Sequence, residues 1–211
     1  MPSWEKRTVL MPSSPLGLCR DKLADAMATA LHAIEAREGE RRGWDRPARL
    51  FTMHLADIDS HSIELRVVPT LMWNSWDINP ADALTRLARH LPDPPAEPRR
   101  REYADSPITG TALMFEGWGR PGDRELTESE QRKVEQGTRI NHLAADRIET
   151  RCVYAADINQ HQFHVFRVRG EEARVYSSAE LAADTPTSGS GRIPDALNRI
   201  VHALREGRRV F

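Results

Sequence analysis

Imidazole and carboxylate groups gather at His54, Asp57, Asp59 and His61, donor types that zinc, manganese and iron accept. An Asp-x-Asp pair can hold a divalent ion against phosphate, so this stretch offers the chemistry of a divalent-metal-dependent enzyme acting on a phosphorylated or nucleotide-like substrate. Its surroundings point elsewhere. Ala56-Asp57-Ile58-Asp59-Ser60-His61 lies between alternating apolar runs, the pattern of a hairpin tip. Aspartates in a tight turn accept backbone N–H bonds more readily than they converge on an ion.

The stretch returns one hundred positions later as Ala156-Asp157-Ile158-Asn159-Gln160-His161. This second tip keeps Asp157 and His161 and adds His164, but has Tyr154 for His54 and Asn159 for Asp59. Half the donor set is lost. The sequence therefore assigns no metal, no cofactor and no catalytic residue. His54, Asp57, Asp59 and His61 stay as metal candidates, with a His61–His161 site across the two tips as a variant.

Other reactive groups are weaker still. His142 and Asp146 suit one helix face but have no fixed third member. Cys152 sits inside a strand pattern, the setting of an inert thiol. Ser188-Gly189-Ser190-Gly191 lacks both the frame of a nucleophile elbow and the spacing of a phosphate or dinucleotide loop, so it reads as a connector.

Binding chemistry is better represented. Met72, Trp73, Trp76 and Trp118 are large apolar groups that either fill the core or anchor a partner, and Arg99, Arg100 and Arg101 lie near them in the chain as further partner-binding candidates. Arg205, Arg208 and Arg209 form a second basic cluster, and either cluster could grip phosphates without reading a base. Thirty basic against thirty-one acidic residues give a net charge of −1, so no field over the whole molecule recruits nucleic acid or an anionic membrane. Lysine occurs only at Lys6, Lys22 and Lys133, a bias expected of GC-rich bacterial or phage coding. Cys19 and Cys152 occupy unlike settings and are expected as free thiols. No apolar run approaches 18 residues, so the expected location is cytoplasmic, without membrane insertion.

These residues must be positioned by a short series of elements. Residues 1–20 are irregular. Leu23, Met27, Ala30, Leu31 and Ile34 recur at helical spacing, with Asp25, His32 and Glu35 turned away, which predicts a helix of about sixteen residues ending near Gly39. Strands over 48–55 and 63–67 enclose the first tip. Asn79-Pro80 opens a second helix. Four prolines and the Arg99–Arg101 cluster mark 92–109 as a connection. Gly110 to Trp118 is a strand, and Thr127 with Glu130 is a capping box. Strands over 148–155 and 162–168 enclose the second tip, Arg174 to Tyr176 adds an edge, and Ile193-Pro194 opens the last helix.

Each tip is followed by a similar helix start, Pro80-Ala81-Asp82-Ala83-Leu84 and Pro194-Asp195-Ala196-Leu197. The expected architecture is α+β: an antiparallel sheet with helices packed mainly on one face, built from two weakly similar helix-hairpin-helix units over 21–91 and 110–211 in one continuous globule. The expected function is a non-catalytic protein-interaction or regulatory role for an unidentified protein partner, using the seam where the two units meet or a sheet edge, with self-association through an uncovered edge as an extension. The alternatives are the metal-dependent enzyme and a nucleic-acid-binding protein using its local arginine clusters.

Overall fold

Apolar side chains on both faces of the same strands decide the layering. In β1 (Arg49–Asp57), Phe51, Met53 and Leu55 are buried on one face and Leu50 on the other. The same double burial holds in β3 (Ile108–Gly119) and β4 (Ile148–Asp157), so these strands need cover on both sides. The structure, a computed structural model, describes residues 20–57, 62–69, 79–93, 108–119, 127–136, 147–177, 191–208 and 210.

With β2 (Ser62–Val68), β5 (Gln162–Val168) and β6 (Arg174–Ser177), the strands form one antiparallel sheet in the order β2-β1-β3-β4-β5-β6. The hairpins that carry the two echoing tips flank β3. Their first strands run parallel to each other, and their second strands turn outward to opposite sides.

Helix α1 (Arg20–Arg42) lies on one face, where Leu23, Met27, Leu31 and Ile34 pack against Phe51, Met53, Ala112, Val153 and Phe163. The outer strands β2, β5 and β6 approach its backbone most closely, so the sheet curls around it. On the opposite face α2 (Pro80–Ala88) and α4 (Arg192–Arg205) pack together, burying Leu84, Leu197 and Ile200 against Leu50, Leu113 and Ala156. Each such side chain contributes roughly 1.5–3 kcal/mol by leaving water. The α+β class and the antiparallel sheet are as the sequence implies. Two helices share one face, and α1 takes the other because the central strands are apolar on both.

The helix starts follow local chemistry. Asn79 Oδ1 accepts the Ala81 N–H at 2.9 Å and the Asp82 N–H at 3.4 Å, with Pro80 in the first turn. At α3 (Glu128–Glu135), Thr127 N donates to Glu130 Oε2 at 2.9 Å, and Glu130 N returns a longer bond to Thr127 Oγ1 at 3.4 Å.

Two expectations need correction in α1. The helix does not stop at Gly39; it runs 23 residues and ends at Gly43, whose φ of +68° suits glycine. Gly39 has another purpose, since a Cβ there would stand 2.7 Å from Arg151 Nη1. Nor does Glu35 face away from the core, as its charge and spacing imply: it is fully buried.

Its partners come from the sheet. Arg167 grips Glu35 through Nε at 2.8 and 2.9 Å and Nη2 at 2.7 Å, and Arg151 Nη1 reaches it at 3.3 Å. Arg151 also donates to Glu116 from Nε at 2.9 Å and Nη2 at 2.7 Å, and to the Gly43 carbonyl. Its guanidinium lies 4.5 Å from the Trp44 ring centroid. Removing the anion that the two arginines share strips Arg167 of its carboxylate and leaves buried Arg151 with Glu116 alone, so Glu35→Ala is expected to lower the unfolding free energy by about 3–5 kcal/mol. A urea titration in which the variant unfolds with the wild type contradicts this.

Candidate functional site

The hairpin tips carry the residues with metal-binding chemistry. His54 is buried on β1, its Nε2 2.9 Å from Thr52 Oγ1, and burial followed by the nearby Arg66 charge holds it below the ordinary histidine pKa. Asp57 is exposed and pairs in register with Ser62. Asp59 and His61 lie outside the described residues, as do Met72, Trp73, Trp76, Arg99, Arg100, Arg101, His142, Asp146, Ser188 and Arg209. Among the described residues no three His, Cys, Asp or Glu side chains are placed to share an ion.

The second tip is fully described. Asp157 is buried, and its Oδ1 accepts the Asn159 N–H at 2.8 Å and the His161 N–H at 2.7 Å. Its Oδ2 lies 3.0 Å from His161 Nδ1, and Gln160 takes a φ of +67° to let the chain reverse. This carboxylate is occupied by its own turn. Asn159 buries both amide atoms, and Asn198 and His202 of α4 bury Oδ1 and Nε2, none of them with a hydrogen-bond partner among the described residues.

Beside α4, on the same sheet face, an aromatic strip crosses four strands. Tyr154 stacks on His164 with centroids 4.2 Å apart and planes 13° from parallel; Phe115 adjoins Tyr154 at 5.9 Å and Tyr176 adjoins His164 at 6.3 Å. Burial lowers the pKa of His164 to about 4 and raises that of Tyr154 to about 12, so both are neutral at pH 7. Cys152 is a buried free thiol raised to about 11, which keeps it protonated and unreactive. Sequence reasoning missed the strip, although its signal was present: Tyr154 and His164 are equally far from the 157–161 turn and must pair.

The groove between α2 and α4 has about 290 Å³ of space and is lined by Arg89, Arg192 and Arg199. Its cations are largely committed. Arg192 bonds Asp82 at 2.5 Å, while Arg199 pairs with Asp93 and donates to the Leu91 carbonyl at 3.2 Å. These contacts tie α4 to α2 and to the segment that follows it. Trp118, the one partner-binding candidate among the described residues, is 45% exposed with the Arg147 guanidinium 4.4 Å from its ring centroid.

The sheet ends at β6 on one side and at the outer edge of β2 on the other. Ile63 and Leu65 turn toward α1 and are half buried, whereas Ser62, Glu64 and Arg66 are exposed, and Val67 is 45% exposed. Glu64 and Arg66 bond each other at 2.8 Å along the strand. β1 pairs with one side of this backbone, and among the described residues no strand pairs with the other. The sequence located the β6 edge but not this one, because the place of β2 depends on which strand β1 takes as its second neighbour.

The neutral burial of His164 has a pH consequence. Its folded pKa of about 4 lies below the ordinary histidine value, so the stability tied to it is complete above about pH 6.5 and drains as pH falls from there toward 4. At pH 5 the loss is about 2 kcal/mol relative to pH 7.5. His164→Phe is expected to flatten that part of the stability profile. Equal slopes for variant and wild type in urea titrations at the two pH values contradict it.

Comparisons of this chain with protein-family models, with curated proteins and with solved structures return no match to any of the three.

Proposed function

We propose that the chain is a non-catalytic protein-interaction or regulatory protein that receives its partner at the outer edge of β2. The supporting observation is the combination of an edge without a described strand neighbour and the exposed Val67 beside it. A row of backbone N–H and C=O groups at such an edge is a template for strand addition, in which main-chain bonds supply affinity and alternate side chains supply selectivity. Sheet proteins blunt their edges with proline, bulges or inward charges. The β1–β2 irregularity lies at the tip, between Leu55 and Asp57, and the run from Ile63 to Val67 pairs regularly, so its edge keeps the straight form that another strand can follow.

The chemistry elsewhere is consistent with this reading. The Asp157 carboxylate is used by its turn, and Arg192 and Arg199 of the groove pair with Asp82 and Asp93. Photo-crosslinking in cells that make the protein tests the proposal. With p-benzoylphenylalanine in place of Val67, discrete adducts of higher mass are expected; the same probe at the exposed Arg37 of α1 should give none. No adduct at position 67 overturns the reading.

A further inference from the structure

We infer that the occupant of this edge is β2 of a second copy, paired antiparallel about a two-fold axis at Leu65 to make a continuous twelve-stranded sheet. The inference rests on the edge reading above and adds the partner, the register and the symmetry.

Symmetry restricts the choice. An axis normal to the sheet keeps each side chain on its own face, so a residue of one β2 can oppose only residues of matching parity in its copy. Near the strand centre three axes are available: at Glu64, at Leu65 or at Arg66. Placing it at Glu64 sets that carboxylate against its own copy, and placing it at Arg66 does the same with the guanidinium; like charges directly opposite oppose pairing.

The axis at Leu65 is different in kind. Glu64 of each copy then meets Arg66 of the other, twice. On the face toward α1, Ile63 meets Val67 twice and Leu65 meets itself, so the exposed Val67 gains an apolar neighbour. Leu65 is also the midpoint of Ser62–Val68, so this register overlaps the full seven residues and the other two do not. Charge, apolar pairing and strand length thus select the same axis. The Glu64–Arg66 contact already present along one strand shows that both side chains can reach an opposite charge on that exposed face.

Sedimentation equilibrium of the full chain, from about 10 μM to about 1 mM, tests this, since a single strand pair is a small interface that dissociates on dilution. The wild type is expected to move from the 23.9 kDa monomer toward twice that mass. Glu64→Arg and Arg66→Glu should each weaken the dimer by about tenfold or more, and the double variant E64R/R66E should restore it. Both positions are exposed, so an unchanged urea midpoint checks that the variants fold.

A monomer at every concentration overturns the inference, as do single variants that associate normally or a double variant that does not recover. The two readings fail differently. Crosslinks from position 67 to other proteins, with a wild type that stays monomeric, remove the second copy but keep the edge; no crosslink at all removes the edge itself.

Discussion

One buried carboxylate governs how the layers of this protein meet. Glu35 sits fully buried on an α1 face that is otherwise mostly apolar, and it is held by Arg151 of β4 and Arg167 of β5. A charge moved out of water costs several kcal/mol unless its partners are close and well aimed, so the helix has one favourable position along the sheet. Sliding α1 by a single turn separates Glu35 from both guanidinium groups. Leu23, Met27, Leu31 and Ile34 supply most of the attraction, but aliphatic contacts alone tolerate many registers. The ion cluster adds selectivity to an adhesion that lacks it.

The same cluster explains features that otherwise look unrelated. Gly39 lacks a side chain where Arg151 passes, and Gly43 both ends the helix and offers Arg151 a carbonyl. Trp44 follows at once, its ring facing Arg151 and, at 5.5 Å, Arg169. Arg169 in turn pairs with Glu149. The end of α1, the turn after it and three strands are therefore joined by contacts between residues far apart in the chain.

That distance marks the limit of what the sequence discloses. The hairpins, the capped starts of α2 and α3 and the apolar stripes of α1 and α4 were legible because each depends on neighbours within a few positions. Glu35 was misread because its partners are more than one hundred residues away. The turn role of Asp157 could be read from spacing, since aspartate bonds amides two and four positions on. Arg174 to Tyr176 was legible as an edge, but the place of β2 at the other edge was not, because β3 enters the sheet between two hairpins rather than beside its chain neighbour β2.

The central place of β3 bears on the route by which the chain assembles. Hairpins β1–β2 and β4–β5 close short loops and can form on microsecond timescales. β3 must instead pair with β1 across roughly sixty residues of chain and with β4 across some forty, so its entry carries a larger closure entropy. Both hairpins can exist before it arrives, each with an unclaimed inner side. Refolding speed is then set by the capture of this one strand, and a chain stalled before that step presents two adhesive inner flanks that β3 covers in the finished sheet.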